Sequence, residues 1–423
     1  MRIFGLTRKA WHQRWVKLLA TIWRRLLFRT TFVAVTGSVG KTTCKELLAA
    51  VLASRGSTLA TTGTGNTAFL IAQTILRARP WHRFVVLEVG AFQPGWIRRA
   101  SLMARPDIAV ILTVGRTHTK SFPTLQDTAR EKAALLDGVG PRGVAILNQD
   151  DAYVAGMAGG RRFRVVRFGA SERTDVRARD ITNSWPGRLS LTLEARDETV
   201  RVQTQLVGTH WIASVLGAAA AAIECGVPLA QIAQVFERLE PTTGRLDPRA
   251  LPSGAVILRD DFNSSLQTFR AALQVVREAH VTRKILAITG VTDGEETRNK
   301  SLRRIASEAA EVVDHFVLVG NVGDAKRAEK EIVAAGFPAD AFHHFTTIRA
   351  ASEFLRAFLR DGDLLLIRGR NTDHMGRLYH SQTHDVRCWL LECPLQILCD
   401  ECPELFGREI SVLEPQLVQQ QSS

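Results

Sequence analysis

Eight residues near the amino end, Thr36-Gly37-Ser38-Val39-Gly40-Lys41-Thr42-Thr43, combine two glycines, a lysine and hydroxyl side chains at the spacing of a phosphate cradle. Gly37 and Gly40 let the backbone curl so that N–H groups face phosphate oxygens, and a helix starting here adds partial positive charge. Lys41 is placed to neutralise the terminal phosphates of a nucleotide, and the Thr42 hydroxyl to ligate Mg²⁺. A full pattern would have a glycine at Val35, so the match is to the shorter G-x-x-G-K-T. The flanks fit: Phe32-Val33-Ala34-Val35 reads as a buried strand, and Lys45 to Ala50 as the start of a helix. Strand, glycine loop and helix together predict nucleotide binding.

Further candidates follow downstream in order. Gly63-Thr64-Gly65-Asn66-Thr67 is a polar loop, and the strand Phe84 to Leu87 ends in Glu88. Ile111 to Gly115 leads to His118, and Lys132 closes Ala129-Arg130-Glu131-Lys132. Gly208-Thr209-His210, Thr243-Gly244-Arg245 and Asp260-Asp261-Phe262-Asn263 complete the series. Taken one at a time, Glu88 also fits a solvated strand-end carboxylate, His118 a loop histidine and Lys132 a helix-surface residue beside Glu131.

Behind the phosphate loop, from about Phe32 to about Arg377, this series resembles the Mur ligase family, the ATP-dependent amide ligases of peptidoglycan assembly. The branch that adds D-alanyl-D-alanine is the most similar. The resemblance implies ATP held by Gly37 to Thr43 with His210, Arg245 and Asp260. It also implies two Mg²⁺ ions, one at Thr42 and Glu88, the other at His118 and a carbamylated Lys132. Asn66 and Asn263 would meet the substrates, Asn66 being what remains of a motif that normally pairs two asparagines.

The residue types suit that chemistry. Carboxylate is inert towards amines at neutral pH, so the γ-phosphate of ATP first moves onto it, and an amine then displaces phosphate from the acyl phosphate. Two anions must meet, which requires divalent cations and Lys41. Thr42 and Glu88 are hard oxygen ligands for Mg²⁺. An unmodified lysine would repel the ion, whereas its carbamate would bind it.

The pattern departs from the family in places. Where the family has G-x-H-N-x-x-N, Trp211 and Ser214 replace both asparagines; Trp211 fits adenine stacking or core. Ser265 replaces another asparagine, and the family's acidic turn is only loosely echoed over Gly290 to Glu295. About 30 residues precede the loop, too few for a domain gripping a UDP-sugar, so the expected acid is a shorter one, with a lipid-linked acid delivered at the membrane surface as a candidate. The alternative is a catalytically weak, nucleotide-binding subunit scaffolding a membrane-associated complex.

The elements expected to position these groups give an α/β protein. Residues 1–30 read as a basic amphipathic helix. Residues 31–247 form a P-loop-type, parallel-sheet ATPase domain with a small antiparallel insert over Phe163 to Leu206, residues 248–384 a Rossmann-like domain, and residues 385–423 a cysteine-containing tail. The net charge is +13, and eight lysines and arginines without an acid in residues 1–30 leave +5 for the rest. A nucleic-acid face is therefore not expected. On a helical wheel Trp11, Trp15, Val16, Leu18, Leu19, Ile22, Leu26 and Leu27 share one half-circle, which fits an anionic membrane surface on the inner face of the cytoplasmic membrane, a helix packed on its own domain, or a transit peptide. Cys388, Cys393, Cys399 and Cys402 fit Zn²⁺ or an iron–sulfur cluster, or an apolar tail docked on this chain or a partner protein.

Overall fold

The computed structural model describes residues 2–407 except Phe4, Gly5, Thr117, His118, residues 292–296, Glu392, Pro394 and Gln396, with side chains from Ala10 onward. The chain divides into two compact units, Met1–Asn183, Arg188–Gln205 and Thr209–Glu240 in one, and Ser184–Gly187, Leu206–Gly208 and Pro241–Ser423 in the other. Among the described residues no helix is long and apolar enough to cross a membrane.

Unit 1 opens with a short hairpin, β1 (Arg2–Ile3) and β2 (Leu6–Thr7), and helix α1 (Arg8–Leu26). Then come β3 (Thr31–Thr36), α2 (Lys41–Ala53), β4 (Thr58–Ala60), α3 (Ala68–Arg77), β5 (Phe84–Glu88), α4 (Trp96–Ala104) and β6 (Ile108–Ile111). The unit continues with α5 (Leu125–Ala133), β7 (Val144–Asn148), α6 (Ala152–Ala155), β8 (Arg164–Gly169), β9 (Val176–Thr182), β10 (Ser190–Ala195), β11 (Glu198–Gln203), α7 (Ile212–Glu224) and α8 (Leu229–Arg238).

One nine-stranded sheet runs β11-β10-β9-β8-β7-β6-β3-β5-β4. The central strands are near-continuous apolar runs because helices cover both faces. Ala20 of α1 and Leu27 just after it, with Ile71 and Ile75 of α3 and Ile97 of α4, pack with Phe32, Ala34, Val85 and Leu87 of the sheet. The chain leaves β3 towards β4 and β5 on one side and later reaches β6 and β7 on the other, so the phosphate loop sits at the point where the strand order reverses, where open α/β sheets bind ligands. The expected antiparallel insert is not a separate sheet. β9 pairs parallel with β8, and β10 and β11 continue antiparallel from it. Alternation along Leu189 to Leu193 revealed the strands but not which edge they would join.

Unit 2 holds β12 (Asp247–Ala250), β13 (Val256–Asp260), α9 (Leu266–Glu278), β14 (Arg283–Ile288), α10 (Arg298–Ala310), β15 (His315–Val319), α11 (Val322–Ala334), β16 (Phe342–Phe345), α12 (Ile348–Phe358), β17 (Asp363–Arg368) and α13 (Gly376–Thr383). Its sheet order is β12-β13-β17-β14-β15-β16, parallel apart from the edge strand β12. Apolar clusters fill both faces, one around Phe269, Leu286 and Phe316, the other around Ile285, Leu355 and Leu365.

The described tail docks on this unit through charge. Arg259, 1% exposed, donates to both Asp261 and Asp400, reaching Asp400 Oδ1 at 2.5 Å and Oδ2 at 2.8 Å. His380 Nε2 lies 3.1 Å from Asp400 Oδ1. Burial alone would raise the Asp400 carboxyl, but hydrogen bonds from Arg259 and His380 and the Arg259 charge outweigh it and hold it well below the usual carboxylate range. A depressed folded-state value means that the contribution is complete above the unfolded carboxylate's range, about pH 4, and fades as pH falls below it. Asp400→Asn is therefore expected to lower the stability of the protein by about 2 kcal/mol at neutral pH, read from urea unfolding, with the gap from wild type closing in acid.

Candidate functional site

Backbone geometry builds the phosphate cradle. Gly40 caps α2 at φ +85°, where a Cβ would also come within 2.3 Å of Ser214 Oγ, so this position requires glycine. Ser214 Oγ donates to Gly40 O at 3.1 Å. On the other side the amide of Ser38 donates to Thr113 O at 2.8 Å, and the Ser38 hydroxyl accepts from Gly115 N at 2.7 Å. Val39 N reaches Thr113 Oγ1 at 3.3 Å. The loop is thus fastened to α7 and to the segment after β6. Lys41 Nζ donates to the carbonyls of Gly37 at 2.7 Å and Ser38 at 3.2 Å.

Glu88 ends β5 with only 1% of its surface exposed, which removes the reading of a solvated carboxylate. Thr42 Oγ1 donates to its Oε2 at 2.9 Å, and Asn66 Nδ2 to its Oε1 at 3.0 Å. The Asn66 loop is held in turn: Gly90 N donates to Asn66 O at 2.9 Å, and a Cβ on Gly90 would meet Asn66 Cγ at 2.8 Å. Lys45, fully buried one helical turn after Lys41, donates to the carbonyls of Thr61 at 2.8 Å and Gly63 at 2.6 Å and pairs with Glu46. Sequence reasoning took Lys45 only as part of a helix; its spacing from Lys41 was the available signal.

Lys132 is not a helix-surface residue. It is 2% exposed, and burial pushes its ammonium well below the ordinary lysine range, helped by Lys41 and opposed by Glu131 and Asp151. Glu131 has a role its sequence context does not reveal: its carboxylate accepts from Gly95 N at 2.7 Å and Ile97 N at 2.8 Å, capping α4. Asp151 was overlooked; it accepts from Val114 N at 2.8 Å. His118 lies outside the described residues.

Trp211 is 4% exposed, with its ring 4.4 Å from that of His210, and so belongs to the core rather than to an open stacking platform. In unit 2 the Arg245 guanidinium lies 4.7 Å over the Phe262 ring. Phe262 bridges two loops, its N–H donating to Gly244 O at 3.3 Å and its carbonyl accepting from Asn371 N at 3.1 Å. Asp260 pairs with buried Arg368, while Asn263 is exposed.

The zinc expectation needs correction. Among the described residues no three His, Cys, Asp or Glu groups are close enough to hold a metal ion. The four tail cysteines are free thiols lining a cavity of about 250 Å³ with Leu390, Leu395, Ile397 and Leu405. Cys399 Sγ faces His374 Nδ1 at 3.5 Å, and Cys388 Sγ accepts from Arg377 at 3.6 Å. These thiols line an apolar pocket as small hydrophobes.

A phosphate loop at the sheet's reversal point, a buried carboxylate on its threonine and a second α/β unit define a Mur-type ATP-dependent ligase. The chain belongs to the Mur ligase family: the Mur ligase middle domain matches residues 35–222, and the Mur ligase, glutamate ligase domain matches residues 244–371. The activity class expected from the sequence, a carbon–nitrogen bond-forming enzyme, stands with it. The chain is similar to the UDP-N-acetylmuramoyl-tripeptide--D-alanyl-D-alanine ligase of Mycobacterium tuberculosis (strain ATCC 25618 / H37Rv), 31% identical over 376 residues that span 85% of this chain and 74% of the relative. It is 32% identical over 260 residues to the Escherichia coli (strain K12) ligase of the same description, covering 60% of this chain and 57% of that one. A crystal structure of MurF from Acinetobacter baumannii superposes with a TM-score of 0.79 at 25% identity, over 88% of this chain and 80% of that one. MurF from Thermotoga maritima in complex with ADP shares the fold, with a TM-score of 0.73 at 22% identity over 87% and 83% of the two chains.

Gly40→Ala adds a side chain where both φ and Ser214 forbid it. The variant is expected to bind Mg-ADP at least about tenfold more weakly by calorimetry, because left-handed backbone alone costs roughly 1–2 kcal/mol.

Proposed function

We propose that the chain joins a carboxylic acid to an amine with cleavage of ATP to ADP and phosphate, through an acyl phosphate. The observation that carries this reading is the meeting of Thr42 and Asn66 on the two oxygens of Glu88, directly beside the phosphate loop. A buried carboxylate and a threonine oxygen 2.9 Å apart are a fitting donor set for Mg²⁺, which would offset the charge of the phosphates when bound.

The roles of the chain's own groups follow. Backbone N–H groups of the loop hold the phosphates, apart from those of Ser38 and Val39, which Thr113 takes, and Lys41 swings its ammonium from the Gly37 and Ser38 carbonyls to the terminal phosphate. Asn66 keeps Glu88 oriented and presents a polar edge to the acid. Lys132, buried near Lys41, would as its carbamate offer an anionic oxygen to a second ion, with His118 as the other candidate ligand. Within unit 2, Arg245 is the nucleotide-contact candidate held over Phe262, and Asn263 is exposed for substrate contact.

The relatives' names supply the first substrates to try, UDP-N-acetylmuramoyl-tripeptide and D-alanyl-D-alanine, beside a panel of acids without a UDP group. The assay measures phosphate and ADP release that requires both acid and amine. Wild type is expected to turn over with at least one acid, and Lys41→Ala to lose about 10²–10³-fold in kcat while retaining its fold. Mg-ADP binding without turnover on any acid would instead leave the chain a nucleotide-binding subunit, and unchanged turnover in Lys41→Ala would remove the phosphate-loop mechanism.

A further inference from the structure

Helix α1 has two different apolar faces. One is committed to unit 1: Ala20 and Leu27 are buried, Trp23 Nε1 donates to Ala78 O at 2.9 Å, and Arg24 reaches Ala104 O at 2.7 Å and Asp107 Oδ2 at 3.0 Å. Arg24 also lies 4.0 Å over the Phe32 ring of β3. The helix is therefore a fixed part of the domain with a definite orientation.

The other face is left outside. Trp11, Trp15, Leu18, Leu19, Ile22 and Leu26 fall within an arc of about 100° at 3.6 residues per turn. Their exposure runs from 39% for Trp11 to 60% for Leu26. Phe28, just past the helix, is 80% exposed, and Trp81 is 71% exposed. Large apolar side chains gathered in this way mark an interaction surface rather than scattered surface residues.

Charge identifies what covers it. Arg14 and Arg25 flank one edge of the stripe, Lys17 follows further round on the same side, and the helix contains no acid. Partial burial, with the charges of Arg99 in α4 and of Arg14 adding to it, pushes the Lys17 ammonium below its usual range. Arg14 and Arg25 thus set positive charge beside an exposed tryptophan-bearing stripe. A second copy of the chain would bring the same cations against themselves, whereas an anionic bilayer answers both features, taking the stripe at the headgroup–acyl boundary and the cations on its phosphates.

We propose that the outward face of α1, with Phe28, docks unit 1 in plane on an anionic lipid surface. The proposal rests on α1 alone and stands whether or not the ligase reading holds.

The test uses the full chain with vesicles of phosphatidylcholine alone and with phosphatidylglycerol added, by cosedimentation and tryptophan emission. Wild type is expected to bind the anionic vesicles, with a blue shift in emission, and to release as salt is raised. Trp15→Ser/Leu19→Ser, which changes only exposed side chains and should keep the wild-type melting temperature, is expected to bind at least about tenfold more weakly. Arg14→Gln/Arg25→Gln should lose the preference for anionic over neutral vesicles. Failure to bind either vesicle, equal binding by Trp15→Ser/Leu19→Ser, or a dimer in light scattering that this variant dissociates would each overturn the proposal.

Discussion

A carboxylate placed at the end of a buried strand is tolerable only if its oxygens are satisfied, and at Glu88 that requirement ties the rest of unit 1 together. One oxygen takes the hydroxyl of Thr42 from the phosphate loop, the other the amide of Asn66 from the loop after β4. The backbone N–H of Glu88 donates to Thr61 Oγ1 at 3.0 Å, so even the residue's main chain is engaged with the segment leading to that loop. Two stretches far apart in sequence, the start of α2 after β3 and the loop after β4, are thereby held against one charge at the end of β5.

Unit 2 solves a related problem differently. Arg259 and Arg368 are fully buried guanidinium groups, and each is opposed by an aspartate of the Asp260-Asp261-Phe262-Asn263 segment. Buried cations of this kind destabilise unless paired, so both aspartates are occupied with the interior. Asn263 is the member of the segment that remains at the surface.

The elements legible in the sequence were those whose local pattern has one physical outcome. A glycine loop between an apolar strand and a helix fixed the site of β3, the cradle and α2, and a strand ending in an acid marked Glu88. What escaped depended on contacts distant in sequence. Lys132 sits in a polar helix beside a glutamate, and only the packing of α5 beneath α4 reveals that it is enclosed while Glu131 serves the α4 amides. Ser214 reads as a neutral residue in an alanine-rich helix until Gly40 is brought against it. The wheel drawn for α1 gave one broad apolar half-circle, yet the fold covers only part of it. The cysteine spacing suggested a metal, but spacing does not reveal that Arg377 and His374 take up two of the thiols.

The first turn of α2 also makes the two ligand loops one mechanical body. Lys41 touches the cradle's carbonyls, Thr42 the strand-end acid, and Lys45 the carbonyls of Thr61 and Gly63. A displacement of that turn, when the Lys41 ammonium exchanges carbonyl partners for a phosphate, would act on the Asn66 loop through Lys45 without passing through any hinge. Occupancy at one end of this short lever would thus register at the other before chemistry begins.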